Sequence, residues 1–248
     1  DYDVTTEMTA TERAAHFQFT FPENAQSSIV VDAFDKGSYV KIIPSENKII
    51  GYTTRNNGGV PENFKNYFVL IFDKPFDLST TWQGKSLEKG KLEILSDHAG
   101  AVVGFKTKKG EKVNVKVASS FISFEQAELN LQRELGTGSF EQTVAESKKE
   151  WNKVLGKVTI EGGTDEQMQT FYSCLYRTAC FPQKLYEVDS NKKIVHYSPY
   201  TGKILPGYMF GGTGFWDTFR ALYPMLNLFY PSINKEMQEG LINVYKEG

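Results

Sequence analysis

The sequence predicts a chain that is built from β-strands in its first half and from α-helices in its second. Residues 15–21 alternate between apolar and polar side chains, the period of a strand with one buried and one solvent-facing side. Short strand-like runs then follow to about residue 119, separated by Gly, Pro, Asn and Asp, as is typical of an antiparallel β-sandwich. From Ser123 onward apolar residues recur at spacings of three and four, the pattern of a helix face.

The first predicted strand shows the alternation most clearly. Its apolar side consists of Ala15, Phe17, Phe19 and Phe21. Its polar side consists of His16, Gln18 and Thr20, and we expect it to face solvent. Pro22 ends the strand. Further strands are predicted at residues 28–34, 39–43, 49–55, 67–72, 91–95, 101–106 and 113–119, with a hairpin around residues 44–47. Isolated histidines on strands and loops are more often surface residues than ligands, so we assign no function to His16 or His98.

Two copies of the same four residues mark the change to helix. Ser123-Phe124-Glu125-Gln126 and Ser139-Phe140-Glu141-Gln142 each fit a capping box, in which Ser is the N-cap and Gln returns to the Ser N–H. We expect the two helices to end at Gly136 and Gly156, each in a left-handed C-cap conformation. The second helix is densely charged around Trp151, so we interpret it as a linker helix.

A third helix is predicted to begin at Thr164, with Gln167 as its capping partner, and to end near Phe181 before Pro182. Its apolar positions, which we expect to face a core, are Met168, Phe171, Tyr172, Leu175 and Tyr176. Residues 182–214 follow as a predicted long loop that contains His196. A loop of this length inside a compact domain is usually functional.

The clearest functional pattern lies in residues 211–220, where a glycine-rich run leads into an apolar helix. Glycines permit a tight turn and a close approach to a ligand. Asp217 and Arg220 are three residues apart and share a face of the predicted helix, with the ring of Trp216 beside them. An aromatic ring can cover the C–H face of a sugar while a carboxylate and a guanidinium bind its hydroxyl groups. These three are therefore candidate substrate-binding residues; the alternative is that Asp217 pairs with Arg220 and that Trp216 belongs to the core.

Two helices are predicted to complete the chain. Pro224 is expected to kink or break the helix that carries the candidate site. A last helix is predicted at residues 232–247, with Gly248 as its C-cap. We interpret the end of the chain as truncated.

Composition limits the function classes. The net charge of −2 and the pI of 6.0, without a dense Lys/Arg tract, argue against a nucleic-acid-binding surface. No apolar run approaches the roughly 18 residues that a membrane helix needs. The chain begins at Asp1 without a Met or a signal sequence, so we interpret it as a processed product or an excised piece, from which targeting cannot be read. Cys174 and Cys180, about 9 Å apart along one helix, are too distant for a disulfide, and we expect them to be free, buried thiols.

Four segments together resemble glycoside hydrolase family 92, a family of exo-acting α-mannosidases. Residues 7–13 (EMTATER) and 16–22 (HFQFTFP) resemble its sandwich domain, and residues 171–177 (FYSCLYR) resemble the start of its helical catalytic domain. Residues 215–221 (FWDTFRA), followed by Pro224 and Pro231, resemble its most recognisable internal signature. The similarity covers nearly all of the chain.

The resemblance implies an architecture. We expect a partial β-sandwich at residues 1–122, a helical linker at 123–163, and the first helices of an (α/α)6 barrel at 164–248. The remainder of the catalytic domain would be a partner of this chain.

The resemblance also implies an activity: removal of terminal α-linked mannose from glycans, with inversion, assisted by a calcium ion, and with α-1,2 linkages expected. Trp216, Asp217 and Arg220 would then contribute to the pocket for the terminal mannose. An inverting hydrolase needs an acid and a base roughly 6.5–9.5 Å apart, and in the family these carboxylates and most of the calcium site lie beyond the equivalent of Gly248. We therefore place no calcium ligand, expect the chain alone to be inactive, and expect a periplasmic, cell-surface or secreted location.

Two other functions stay open from the sequence. One is a non-catalytic carbohydrate-binding or scaffolding module, and the other is a different sandwich-plus-barrel enzyme such as a disaccharide phosphorylase. The position of the candidate residues on the helical part, not on the sandwich, favours the mannosidase over the binding module. A phosphorylase would need an anion site, and no run of Arg, Lys or Ser near the glycine-rich run provides one.

Overall fold

A computed structural model describes residues 2–248 of the chain. The chain divides into two compact units, a sandwich unit (Asp1–Ala145) and a helical unit (Glu146–Gly248). The finer division into a sandwich, a linker and a barrel segment at residues 122/123 and 163/164 stays a prediction.

The sandwich unit consists of two antiparallel sheets. Its strands are β1 Thr5–Ala10, β2 Ala14–Phe21, β3 Asn24–Asp32, β4 Ser38–Ile43, β5 Lys48–Thr53, β6 Asn66–Phe72, β7 Leu78–Gln83, β8 Ser86–Glu88, β9 Glu93–Ser96, β10 Ala99–Thr107 and β11 Glu111–Ser120. One sheet has the order β1-β2-β11-β6-β5-β4-β9 and the other β3-β10-β7-β8. All eight predicted strands are present; β1, β7 and β8 were missed because they lack a clear apolar alternation.

The two sheets enclose the main core of this unit. On β4 the residues Ser38, Val40 and Ile42 are buried while their neighbours are half-buried, so one side of the strand faces inward. Val40, Ile49 and Phe105 from three different strands are almost fully buried in the same cluster. Burying apolar area of this kind is the dominant stabilising contribution to a sandwich.

The second face of the larger sheet is also covered. Helix α1 (Phe124–Glu134) places Ala127 and Leu131 against Val69 and Ala118 of that sheet. Because this face is covered, the expectation that His16 and Gln18 face solvent is wrong: both are buried.

Side chains of β11 and of the start of α2 (Phe140–Leu155) surround these two residues. The His16 ring meets Phe140 edge-on, with 5.4 Å between ring centroids, and Gln18 Nε2 donates to Asn114 Oδ1 at 3.0 Å. The alternation therefore predicted the strand correctly but did not predict what packs on its polar side.

The predicted helix starts of α1 and α2 are confirmed. Ser123 Oγ accepts from the N–H of Gln126, and Ser139 and Gln142 exchange two side-chain-to-backbone bonds as in a capping box. Gly136 has the predicted left-handed conformation, with φ of 43°. Gly156 does not have a positive φ; its N–H continues the helical pattern by donating to the Asn152 carbonyl, so that prediction is wrong.

In the helical unit, α3 (Asp165–Ala179) begins with the predicted Thr164–Gln167 capping box. Its apolar face is less covered than expected: Leu175 is buried, whereas Tyr176 is exposed. Cys174 and Cys180 are free, as predicted, but both are exposed, so the expectation of buried thiols is wrong. The i, i+3, i+4 spacing correctly predicted that α3 has an apolar face. It did not predict how much of that face would be buried in this chain.

The predicted loop at residues 182–214 is wrong, because this segment forms two small antiparallel sheets. Its strands are β12 Gln183–Lys184, β13 Tyr186–Val188, β14 Ile194–Tyr197, β15 Ile204–Pro206 and β16 Phe210–Gly211. The strands pair as β12-β16 and β13-β14-β15. Two to four residues per strand are too few to show a period, so the pairing left no pattern in the sequence.

Three helices end the chain: α4 (Phe215–Thr218), α5 (Leu222–Phe229) and α6 (Pro231–Glu247). The predicted break occurs, but before Pro224 and not at it. Pro224 lies in the first turn of α5, where backbone N–H groups have no helical partner and a proline is tolerated. The last helix and its C-cap are confirmed, since the Gly248 N–H donates to the Val244 carbonyl at 3.0 Å.

A separate core holds this unit together. Tyr186 and Phe210 of the small strands pack with Tyr223 and Leu226 of α5 and with Met237 of α6. Among residues 2–248, none of the helices is long and apolar enough to cross a membrane.

Candidate functional site

The glycine-rich run forms a turn that only glycine adopts easily. Gly212 and Gly214 have φ values of 65° and 49°, in the left-handed region. No atom lies within 4 Å of a Cβ built on Gly214, so backbone conformation and not crowding requires a glycine there. The Gly214 carbonyl accepts from the N–H groups of Asp217 (2.8 Å) and Thr218 (3.1 Å), which starts helix α4 directly after the turn.

The turn is anchored at both ends. Upstream, Gln183 pairs with Gly211 and Lys184 with Phe210, and Phe210 is part of the core. Downstream, the Thr218 hydroxyl lies 3.0 Å from the Thr213 carbonyl and 3.1 Å from that of Gly214. These bonds fix the direction in which α4 leaves the turn.

The short helix presents an aromatic and cationic cluster to solvent. Phe215, Trp216 and Phe219 are 57%, 72% and 43% exposed. The Arg220 guanidinium carbon lies 4.6 Å from the Trp216 ring centroid and 4.8 Å from that of Phe219. Arg220 Nη1 also donates to the Trp216 carbonyl at 3.3 Å. Exposed cation–π contacts contribute about 0.5–1 kcal/mol, enough to orient the guanidinium.

The structure rejects both parts of the alternative interpretation of these residues. Trp216 is exposed and not part of a core. Within residues 2–248, no ion pair joins Asp217 to Arg220. The predicted shared helix face is wrong too, because α4 ends at Thr218 and Arg220 lies beyond its C-cap, Phe219.

Of the three candidate side chains, Arg220 and Trp216 are in contact, whereas within residues 2–248 the Asp217 side chain bonds to neither of them. Arg220 reaches back over the Trp216 ring, and the Asp217 carboxylate stays exposed. A flat ring, an acceptor and a forked donor next to each other can bind a ligand that has both C–H faces and hydroxyl groups.

His196, which the sequence placed in a loop, has a structural environment. It is fully buried on β14, its Nδ1 lies 2.9 Å from the Gly207 carbonyl, and its Nε2 lies 3.1 Å from Glu247 Oε1. Both ring nitrogens are thus occupied by acceptors within the unit. We assign His196 to the attachment of α6 to the small sheet and not to a ligand site.

The described residues do not fit a calcium site. Residues 2–248 contain no group of three or more His, Cys, Asp or Glu side chains that could hold a metal ion, whereas Ca²⁺ takes six to eight oxygen ligands. The pair Asp189 and Asn191 forms the predicted turn, in which Asp189 Oδ1 accepts from the N–H groups of Asn191 and Lys193. We derive no step through calcium from these residues.

Two family descriptions match consecutive parts of the chain. The glycosyl hydrolase family 92 N-terminal domain matches residues 1–120, and the glycosyl hydrolase family 92 catalytic domain matches residues 126–248. The chain belongs to glycosyl hydrolase family 92. The segment that carries Trp216, Asp217 and Arg220 lies within the part matched by the family 92 catalytic domain.

Solved family 92 structures have the same fold over almost all of this chain. A family GH92 inverting mannosidase from Bacteroides thetaiotaomicron is 43% identical with a TM-score of 0.96, over 99% of this chain and 33% of that one. A family GH92 alpha-mannosidase from the same organism, in complex with mannoimidazole, is 27% identical with a TM-score of 0.87, over 99% of this chain and 33% of that one. This similarity confirms the predicted sandwich followed by the start of the helical domain.

One curated relative is an uncharacterized secreted glycosidase from Arthroderma benhamiae. The alignment has a length of 206 residues with 26% identity, and the match covers 73% of this chain and 27% of the relative. The chain thus spans about a third or less of the length of the relatives it matches.

Proposed function

We propose that this chain is part of an exo-acting, inverting α-mannosidase and that Trp216, Asp217 and Arg220 bind the terminal mannose. The observation that carries the proposal is the exposed Trp216 ring with the Arg220 guanidinium 4.6 Å from its centroid. Family membership supplies the reaction class, and the mannosidase relatives support the substrate class.

The chemistry of the three groups suits a pyranose. A pyranose has an apolar face of C–H groups, which an exposed aromatic ring covers, and a rim of hydroxyl groups. A carboxylate accepts two hydroxyl hydrogen bonds, and a guanidinium donates in a fixed fork; charge-assisted bonds of this kind are roughly twice as strong as neutral ones. Because Asp217 and Arg220 are not paired with each other, both are available to a ligand.

We propose that the catalytic acid, the catalytic base and the calcium ligands are supplied by polypeptide outside these 248 residues. The described residues have no metal-binding group of three acidic, His or Cys side chains. The helical unit also exposes large apolar side chains, which such polypeptide would cover. Apart from Trp216, which is assigned to the mannose site, they are Tyr176, Phe181, Tyr200, Ile204, Phe215, Phe219, Leu228, Ile242 and Tyr245.

Two finer statements belong to the same proposal. The substrate is α-1,2-linked mannose of glycans, and the enzyme acts outside the cytoplasm, in the periplasm, at the cell surface or as a secreted protein. The secreted relative supports the location. The position of Trp216, Asp217 and Arg220 in the helical unit supports an enzyme over a non-catalytic binding module, whose ligand residues would lie on the sandwich.

The test is mannose release by the natural-length polypeptide from α-1,2-, α-1,3- and α-1,6-linked mannobiose, with and without a calcium chelator. We expect the α-1,2 linkage to be cleaved fastest, the chelator to abolish cleavage, and the 248-residue chain alone to release no mannose. If a folded, calcium-loaded preparation cleaves none of the three linkages, the mannosidase proposal fails. Release of mannose by the 248-residue chain would contradict the proposed location of the acid and base.

A further inference from the structure

The sandwich unit contains a groove that the proposed function does not use. It lies between residue 36 and the loop at residues 54–64, at one end of the β4–β5 hairpin, and it has a volume of about 670 Å³. Its lining combines the polar residues Lys36, Asn57 and Glu62 with an apolar wall of Val60, Pro61 and Phe64.

Local hydrogen bonds fix the floor of this groove. The Thr54 hydroxyl lies 3.0 Å from the Gly37 carbonyl, whose oxygen also accepts from the Thr54 N–H at 2.9 Å. Asn56 uses both ends of its side chain in the loop: Nδ2 donates to the Thr54 carbonyl, and Oδ1 accepts from the Gly58 N–H. The groove is thus formed by ordered backbone before any ligand binds, which lowers the entropic cost of binding.

The other polar side chains in the groove are not used by the fold. Over residues 2–248, the side chains of Lys36, Asn57 and Glu62 form no hydrogen bond or ion pair with another side chain or with the backbone. All three residues are exposed. A donor, an amide and an acceptor therefore line the same groove as the apolar residues without a structural role of their own.

An aromatic, guanidinium and carboxylate cluster lies in the segments that border the groove. The Arg55 guanidinium carbon lies 5.3 Å from the centroid of the Phe34 ring, and Arg55 Nη1 lies 2.8 Å from Asp35 Oδ1. Phe34 is 52% exposed although its φ is 64°, a strained conformation for a bulky residue. Such strain persists where the surrounding structure imposes it, and it is enriched at binding sites.

We propose that this groove is a carbohydrate-binding site for a neutral oligosaccharide. The side chains of Lys36 and Glu62 carry opposite charges, so the lining does not select an anion such as phosphate. Amide and charged groups next to Pro61 and Phe64 match the alternating hydroxyl and C–H surfaces of a pyranose. The site does not depend on the proposed mannosidase activity, and its ligand does not have to be the hydrolysed glycan.

The test is a site-resolved NMR titration of the 248-residue chain with mannotriose, cellotriose and maltotriose, and with inorganic phosphate as the anionic probe. The backbone amides of Gly58 and Gly59 report on the groove, and those of Gly212 and Gly214 report on the Trp216 region. We expect saturable shifts at Gly58 and Gly59 with at least one trisaccharide below roughly 10 mM, and none with phosphate.

Matched variants distinguish the groove from other sites. Asn57→Ala and Glu62→Gln should each weaken binding by about tenfold (one hydrogen-bonded contact) without unfolding, because neither side chain supports the fold. Asn191→Ala, which removes an exposed turn asparagine in the helical unit, should leave the dissociation constant unchanged. Absence of saturable shifts at Gly58 and Gly59 with every trisaccharide, or equal binding by Asn57→Ala and the parent chain, would overturn the proposal. Shifts with phosphate alone would do the same.

Discussion

Helix α1 of the sandwich unit and helix α3 of the helical unit each begin after an N-cap serine or threonine, and each has an apolar face. The face of α1 is covered: Ala127 and Leu131 are almost completely buried against the larger sheet. The corresponding face of α3 is less covered: Leu175 alone is buried, and the other apolar positions are half-buried (Met168, Phe171 and Tyr172) or exposed (Tyr176). Apolar spacing therefore shows that a helix has a face to bury, but not which polypeptide covers it.

The largest expected effect is a difference in the free energy of unfolding between two Leu→Ala variants, one in each unit. Leu131→Ala should lower the free energy of unfolding by about 2–5 kcal/mol, because it removes a side chain that is 1% exposed and leaves a cavity. Leu228→Ala, which removes a side chain that is 73% exposed, should change it by no more than about 0.5 kcal/mol. Urea unfolding followed by circular dichroism gives both values. Equal losses for the two variants would contradict the difference in coverage.

A smaller effect is expected for the turn before α4. Gly214→Ala should lower the free energy of unfolding by about 1–2 kcal/mol. The left-handed conformation is unfavourable for alanine, and its methyl group would contact no other atom. Gly163→Ala is the matched control in the same unit: its φ is not positive and its nearest neighbour would lie at an ordinary 3.6 Å. The difference between the unfolding free energies of the two variants, measured by urea unfolding, gives the effect of the left-handed conformation. If both substitutions are tolerated equally, the left-handed turn does not fix α4.

The smallest expected effect is a loss of unfolding free energy at mildly acidic pH, caused by protonation of His16 on the covered face of the sandwich. Burial, and secondarily the charge of Lys116, lower the pKa of His16 below its ordinary value of 6.5, although Asp73 and Glu141 oppose the shift. The unfolded chain therefore binds the proton more readily than the folded chain. The contribution of neutral His16 to stability is complete above pH 6.5 and is lost as the pH falls toward the folded-state pKa.

The variant His16→Gln checks this pH dependence. Between about pH 7.5 and about pH 5.5, the parent chain should lose more unfolding free energy than the variant, which has no imidazole to protonate. An identical loss in both proteins would show that His16 titrates alike in the folded and unfolded chains.

The sequence predicted the sandwich well because its strands are long enough to show a period of two. The same reasoning failed for residues 182–214, where strands of two to four residues show no period. It also failed for His16 and Gln18, since a polar residue on a strand does not reveal that a helix covers it. In both cases the missing information is a non-local contact.

For the candidate site, the sequence predicted the residue types and their proximity but not their geometry. Asp217 and Arg220 do not share a helix face, because the chain leaves α4 after Thr218. Arg220 instead lies over the Trp216 ring, four residues earlier in the chain. Pro224 correctly predicted a helix break nearby. The break lies upstream of Pro224, because a proline is tolerated in the first turn of a helix and Pro224 lies in the first turn of α5.

The most direct test of the account compares two aspartate-to-asparagine variants in the natural-length enzyme. Asp217→Asn replaces the exposed carboxylate in the candidate mannose site, and Asp165→Asn replaces an exposed carboxylate in the first turn of α3. Steady-state kinetics on the preferred mannobiose gives kcat/KM for both. The account predicts a loss of about a hundredfold for Asp217→Asn, equivalent to about 2.7 kcal/mol of transition-state binding, and an unchanged value for Asp165→Asn. Equal kcat/KM for Asp217→Asn and the parent enzyme would show that this carboxylate does not bind the reacting sugar.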